Sequence, residues 1–295
     1  MKQNTGSKVL WSELFPFEFK ARLEELPVVY LPLGLCEPHG QISAFGLDTI
    51  KAEWLCEQAA KQIGGIVAPS MGYHIHETGY HARWLEENIG EENPHMTGVP
   101  PGIFLSFFLY QLRAFVNAGF KSVVVITGHS GGNQEDLRLA ARIFMEFIPI
   151  KIVVKSDPEL VEDQYTGDHA GKYEISQLMY IRPELINFQL VDLEKKSGSG
   201  GRLALGEDAS KSSRLLGESI MESCLTSLIK EIKQLKLDDV PNNLEKVSYE
   251  KVERIWSEIL TQSSKWVTAN PWDEQEDVSP TSQWREYMKY RVKNC

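Results

Sequence analysis

Uninterrupted apolar runs alternate with amphipathic segments along the first half of the chain, and this alternation predicts a parallel α/β domain. The runs show little apolar/polar alternation within themselves, as expected of strands that helices cover on both faces. Four strands are predicted, over residues 27–35, 65–70, 121–129 and 150–156. We therefore expect an α/β fold of three layers, α/β/α, around a mainly parallel central sheet.

Segments of helical period follow and separate these strands. They are predicted over 48–64, 101–119 and 133–147 and, after residue 157, over 168–181, 208–236 and 248–262. Asp48 and Asn133 are residues that favour the N-cap, so each is expected to begin its helix. Gly64 is expected to end the first helix, because glycine readily adopts the conformation that follows a helix.

The last part of the chain differs in composition from the rest. Residues 195–208 are rich in Gly and Ser and predict a loop of the kind that often lies over a site. Residues 264–295 hold three tryptophans among charges and prolines, Trp266, Trp272 and Trp284. We expect one domain over 1–263 and a C-terminal arm over 264–295 that packs on this domain or on a neighbouring subunit.

Composition narrows the classes of function. The net charge of −10 disfavours binding to nucleic acid or to an anionic membrane, since both depend on clustered Lys and Arg. The four cysteines are scattered and match neither a zinc finger nor a disulfide scaffold, and no signal peptide or membrane helix is predicted. We expect a cytoplasmic protein whose partner is a small-molecule substrate.

Side chains that can bind metal follow three of the predicted strands. In parallel α/β sheets the carboxyl ends of the strands form the edge where ligands bind. The side chains are Glu37, His39 and Asp48 after the first strand, His129 at the end of the third, and Asp168, His169 and Glu174 after the fourth. Imidazole and carboxylate donors without thiolate suit Zn²⁺, Mn²⁺ or Fe²⁺ with positions open to water and substrate. The number of carboxylates also allows two ions bridged by one of them.

Each residue has a simpler interpretation when taken alone. Glu37 and His39 could be surface residues, Asp48 a helix cap, and His129 a buried imidazole with its hydrogen bonds satisfied. The sequence "GHSGGN" at 128–133 could hold a phosphate, but the Lys-Ser/Thr of a P-loop is missing. Because all these ligand-type residues fall at strand ends on one edge, the metal interpretation is favoured.

Four further histidines follow the second strand: His74, His76, His81 and His95. One or two of them are expected to support the site or to contact substrate. His74 and His76 would point to opposite sides of an extended chain, so they are not expected to bind one ion together.

At these residues the sequence resembles the creatininase family in three ordered motifs between about residues 27 and 180. The first motif is an apolar strand followed by Glu-x-His-Gly and an Asp nine positions after the His, here Glu37, His39, Gly40 and Asp48. The second is a strand ending in Asn-Gly-His-Gly-Gly-Asn, matched by "TGHSGGN" with His129. The third is His-Ala-Gly followed by Glu-Thr-Ser, matched by "HAGKYEIS" with His169 and Glu174.

The resemblance implies hydrolysis of a carbon–nitrogen bond in a small cyclic or linear amide by metal-activated water, on one or two ions of Zn²⁺, Mn²⁺ or Fe²⁺. It implies Glu37, His39, Asp48 and His129 as ligands, with Asp48 bridging if two ions bind. Glu174 is expected to be the remaining ligand, since creatininase itself has a Glu two places after the strand-end His and this chain has Gly131 there. His169, oriented by Asp168, is expected to protonate the leaving nitrogen. Family members are commonly homo-oligomers, hexamers among them.

Two departures bear on the substrate. Ile42 stands where many members have a second His, and residues 130–167 contain no tryptophan to hold a ring as creatininase does. We therefore expect weak or no hydrolysis of creatinine. Two alternatives stay open: a hydrolase or lyase that opens the ring of a keto-sugar or keto-inositol, and a binding or assembly protein without activity.

Overall fold

The computed structural model describes residues 8–75, 79–88, 96–195 and 205–285. The strands of these residues are β1 (Val28–Leu33), β2 (Ile66–Val67), β3 (His74–Ile75), β4 (Gly98–Val99), β5 (Ser122–Thr127) and β6 (Lys151–Ser156). The α-helices are α1 (Pro16–Glu25), α2 (Leu47–Ile63), α3 (Ala82–Asn88), α4 (Pro101–Ala118), α5 (Asn133–Phe147), α6 (Lys172–Ile181), α7 (Arg214–Lys233) and α8 (Tyr249–Thr261).

The central sheet has the strand order β2-β1-β5-β6, and every neighbouring pair is parallel. Val29 lies between Ile66 and Val123, and Val123 is paired in turn with Ile152. β3 and β4 form a separate parallel pair. The four strands predicted from the apolar runs are therefore the four strands of this sheet, each somewhat shorter than predicted.

Successive side chains of β1 point into two different cores. Val29 and Leu31 pack with α4, α5 and α8, whereas Val28 and Tyr30 pack with α2 and α7 on the other face. All four are fully buried, which accounts for the lack of polar alternation in the strand sequences. The predicted three-layer α/β/α fold is confirmed. None of the helices in the described residues is both long and apolar enough to cross a bilayer.

Several helix boundaries differ from prediction. α2 begins at Leu47 after Gly46, so Asp48 lies inside its first turn and does not cap it. α7 begins only at Arg214, where the Ser213 side chain accepts a hydrogen bond from the Leu216 N–H at 3.2 Å. Sequence preference suggested Asp48 as a cap, but a side chain drawn into a buried polar cluster cannot also cap its own helix.

The described part of the C-terminal arm packs on its own chain. Trp266 is fully buried in the core beside α5 and α8. The Asp136 carboxylate on α5 accepts hydrogen bonds from the N–H groups of Val267 at 3.0 Å and Thr268 at 3.1 Å. Trp284 is buried with Leu85 of α3. The arm thereby contacts α5, α8 and α3.

Candidate metal centre

The carboxyl ends of β1 and β5 and the first turns of α2 and α6 meet at one edge of the sheet. Gly128, directly after β5, lets the strand end lie against the backbone of α2, because a Cβ atom there would be closer than 3.0 Å to the Asp48 carbonyl. Five side chains predicted as ligands come together here and are buried: Glu37, His39, Asp48, His129 and Glu174.

Three of them form a first group of donor atoms. The Nδ1 atom of His129 lies 2.7 Å from Glu37 Oε1 and 3.5 Å from Asp48 Oδ2. One nitrogen and two carboxylate oxygens thus face a common point. This is a ligand set that Zn²⁺, Mn²⁺ or Fe²⁺ accepts.

A second group shares Asp48 with the first. The Nε2 atom of His39 lies 3.3 Å from Asp48 Oδ1 and 3.3 Å from Glu174 Oε2. The two oxygens of Asp48 therefore face two different groups, one with His129 and one with His39. Two ions held by these two groups would share Asp48.

The arrangement passes two tests for a metal site. Donor atoms about 2.1 Å from a tetrahedral ion lie about 3.4 Å from each other, close to three of the four separations above. In the described part of the chain, His39 Nε2 and both oxygens of Asp48 have no hydrogen-bond partner although they are buried. Buried polar atoms without partners are rare, and a bound cation satisfies them.

Neighbouring backbone and side-chain groups fix the direction of both imidazoles. His39 Nδ1 lies 3.0 Å from the Glu37 carbonyl oxygen, so Nδ1–H donates there and Nε2 faces the carboxylates. The loop of His129 is held through its own carbonyl, which accepts hydrogen bonds from Thr127 Oγ1 at 2.6 Å and Asn133 Nδ2 at 2.8 Å. His74 is fully buried, with Nε2 3.1 Å from the same Thr127 hydroxyl. Of the four histidines after the second strand, His74 thus supports the site from behind.

Charge keeps the carboxylates ionised. Burial alone would raise the pKa of Asp48, but the positive charges of the neighbouring His39 and Lys51 hold it well below its usual value. Burial likewise opposes ionisation of Glu174, and the Lys51 charge together with His39 lowers its pKa to about 2. Metal ligands must be deprotonated, so both carboxylates are in the required form at neutral pH.

His169 lies beside the cluster. Its ring stacks on His39 with centroids 4.9 Å apart, and its Nε2 is 3.1 Å from the Pro38 carbonyl oxygen. Asp168 does not orient it: the two side chains share no hydrogen bond in the described residues. Asp168 instead accepts the N–H groups of Gly171 at 3.1 Å and Tyr173 at 2.7 Å, at the start of α6. The expected orienting role of Asp168 was wrong, because the free N–H groups of a helix start attract the nearest carboxylate.

The pocket next to the cluster has an aromatic wall that the sequence interpretation missed. Its lining includes Glu37, His81, Trp84, Met96, Ser130, Asp168 and His169. Trp84 on α3 meets His169 edge-on with centroids 5.6 Å apart, and His81 stacks on Trp84 at 4.8 Å. Trp84 lies in the segment after the second strand that holds four histidines, and this position in the sequence could have indicated that it lies near the site. His76 and His95 lie outside the described residues, as does most of the predicted loop at 195–208.

A parallel α/β/α domain with a buried carboxylate–imidazole cluster at the carboxyl edge of its sheet is typical of metal-dependent hydrolases. Comparison with known proteins makes the class specific. The sequence profile of the creatininase family, described as creatinine amidohydrolase, matches residues 12–232, and the chain belongs to this family.

Individual relatives are distant. A creatinine amidohydrolase from Pseudomonas putida is 23% identical over 263 residues, which cover 78% of this chain and 98% of that protein. A 3-dehydro-scyllo-inosose hydrolase from Thermotoga maritima is 25% identical over 177 residues, 59% of this chain, and the chain spans about half of it, 52%. A crystal structure of creatinine amidohydrolase shares the fold with a TM-score of 0.62 at 22% identity, covering 77% of this chain and 97% of that one. Other creatininase structures are described as manganese and zinc–zinc forms.

Proposed function

We propose that this protein hydrolyses the carbon–nitrogen bond of a small cyclic or linear amide with two bound divalent metal ions. The observation that carries the proposal is the position of Asp48, whose two oxygens face two separate groups of ligand atoms. Glu37, Asp48 and His129 would hold one ion, and His39, Asp48 and Glu174 the other. Zn²⁺ is the first choice for this donor set, with Mn²⁺ and Fe²⁺ as alternatives.

When bound, such ions lower the pKa of water and polarise a substrate carbonyl. The protein has to supply the proton for the leaving nitrogen, because an amine anion is a poor leaving group. His169 borders both the cluster and the pocket, with Nε2–H held by the Pro38 carbonyl. We assign Nδ1 of His169 as the atom that takes the proton lost by the attacking water and passes it to the leaving nitrogen.

The pocket wall bears on substrate choice. Trp84 brings an aromatic side chain to the pocket. Residues 130–167, where creatininase would have its ring-holding tryptophans, contain no tryptophan in this chain. His81 stacks on one face of Trp84, so at most one face is open to a planar ring. We therefore propose that creatinine is a weak substrate and that a more polar or bulkier amide is preferred.

A second candidate function is the opening of a keto-inositol or keto-sugar ring. The likeness to an inosose hydrolase favours it, although that match covers 59% of this chain. The same cluster could serve both reactions, since each needs a polarised carbonyl and an activated water. The products differ: amide hydrolysis releases an amine, whereas ring opening of a keto-inositol gives an acid without amine.

The test is a steady-state assay of metal-loaded protein against creatinine, formamides, cyclic amides and keto-inositols, with product analysis. The Asp48→Ala variant is the control for contaminating activity. Amine release well above this control supports the proposal, and a ring-opened acid without amine supports the second candidate. Turnover of neither kind of substrate by a fully loaded protein would favour a binding protein on the same fold.

A further inference from the structure

Beneath the cluster lies a lysine that none of the motifs contains. Lys51 is on α2, one turn after Asp48, and only 1% of it is exposed. Its Nζ atom lies 2.6 Å from Glu174 Oε1 and 3.2 Å from Asp157 Oδ1. A buried lysine placed between two buried carboxylates requires an explanation, because charged groups are expensive to bury.

The two oxygens of Glu174 have different partners. Oε1 accepts a hydrogen bond from Lys51, whereas Oε2 accepts one from the Ala170 N–H at 2.9 Å and faces His39 Nε2 at 3.3 Å. With Oε1 held by Lys51, only Oε2 is directed at the metal centre. Glu174 is thereby prepared to bind as a ligand through one oxygen.

The lysine is also held from its other side, by Asp157. Asp157, directly after β6, accepts a hydrogen bond from Gln177 Nε2 at 2.8 Å through its second oxygen. Gln177 and Glu174 are three residues apart on α6, so they share one helix face. The chain of contacts Glu174–Lys51–Asp157–Gln177 therefore joins α6, α2 and the end of β6. Charge favours it too: burial lowers the pKa of Lys51, but the nearby carboxylates, Asp157 first, raise it above its usual value.

We infer that Lys51 is a positioning residue that fixes Glu174 as a one-oxygen ligand of the ion shared with His39 and Asp48. The inference rests on the proposed metal-dependent function and deepens it. Stability is a weak explanation for the contact, since buried ion pairs often add little over apolar residues of the same volume. Orientation is a better one, because partners behind the ligands commonly set metal affinity.

The experiment measures Zn²⁺ stoichiometry and affinity by chelator competition in wild type, Lys51→Met, Glu174→Gln and the double variant. We expect Lys51→Met to weaken one of two ions by roughly 10- to 100-fold and to leave the other unchanged. In the Glu174→Gln background the same substitution should change affinity by less than about two-fold, because the group through which Lys51 acts is already altered.

Controls separate this effect from damage to the fold. Lys61→Met removes a lysine from the exposed face of α2, where Lys61 pairs with Glu57 at 2.7 Å, and should leave both ions unchanged. If Lys51→Met does not fold by circular dichroism, Lys51→Met with Asp157→Asn removes one charge of each sign and takes its place.

The outcomes are distinct. Equal affinities in wild type and in the folded Lys51 variant, or the same loss with and without Glu174→Gln, would overturn the inference and leave the proposed function intact. A wild-type protein that binds no Zn²⁺, Mn²⁺ or Fe²⁺ would overturn both.

Discussion

Gly128 and Asp48 are in backbone contact: a methyl group on Gly128 would overlap the Asp48 carbonyl, whose Cα, C and O atoms are its three nearest neighbours. The contact sets how closely the end of β5 approaches the first turn of α2. His129 follows Gly128 and faces Asp48, so the same contact also sets the separation of these two proposed ligands.

We expect Gly128→Ala to destabilise the protein by about 1–3 kcal/mol, as overpacking of a tight contact does. It should also weaken metal binding, because His129 and Asp48 are forced apart. Gly46→Ala is the matched control at the start of the same helix, where the nearest atom to an added Cβ would be 3.8 Å away. Denaturant unfolding and metal content measure both effects, and wild-type metal affinity in Gly128→Ala would contradict the expectation.

Asp48 belongs to both groups of donor atoms, so we expect its substitution to affect more ions than substitution of any other ligand. Asp48→Ala should lose both ions, whereas His129→Ala should lose one and Glu174→Gln should weaken the other, because these two side chains belong to different groups. Elemental analysis of protein purified without chelator and supplied with metal gives the stoichiometry. One ion retained at full occupancy by Asp48→Ala would show that Asp48 is not a bridge.

Removal of metal should lower thermal stability. A ligand at 100 times its Kd stabilises the folded state by about 2.7 kcal/mol. For a domain of this size that corresponds to a fall in Tm of about 4–5 °C for each ion removed. Thermal unfolding with and without chelator measures it, and Asp48→Ala is the control that should show no difference. Identical transitions in wild type would indicate that the cluster does not bind metal.

His169→Ala should separate chemistry from metal binding. Loss of a positioned proton donor lowers turnover by about 10² or more, and metal content should change little because other residues complete both groups. His169 also lies near Glu37 and His39 in a third possible ligand group, so the opposite result is meaningful. Loss of an ion in His169→Ala would make His169 a ligand.

Trp84 should affect substrate affinity more than metal binding. We expect Trp84→Ala to raise KM by about 2- to 12-fold for the preferred substrate, the value of one aromatic contact of about 0.5–1.5 kcal/mol. Trp84→Phe should recover part of the loss. Trp272 gives a control, because it is 63% exposed and is separated from Trp84 by the stacked rings of Tyr80 and His81. Trp272→Ala should leave KM unchanged. Equal increases in KM for Trp84→Ala and Trp272→Ala would indicate that Trp84 has a structural role.

The helix ends show where sequence reasoning stops. Ser213 and Ser248 cap their helices as their residue type suggests, each accepting a backbone N–H three residues on. Asp48 and Asn133 have the same preference but are the second and the first residue of their helices, and their side chains contact His39 and the His129 carbonyl instead. Local preference holds where the side chain has no other partner and fails where tertiary contacts compete for it.

The parallel sheet, its cover of helices and the group of ligand-type residues at strand ends could be predicted from the sequence, because burial on both faces and strand-end sites are local patterns along the chain. Tertiary contacts were needed to show which oxygen of Asp48 faces which imidazole, that Asp168 serves a helix start and that Trp84 forms a wall of the pocket. The tertiary structure alone brings Lys51 to Glu174, 123 positions along the chain. These relations depend on side-chain direction and on contacts between distant residues, and neither is encoded in the period or spacing of a single segment.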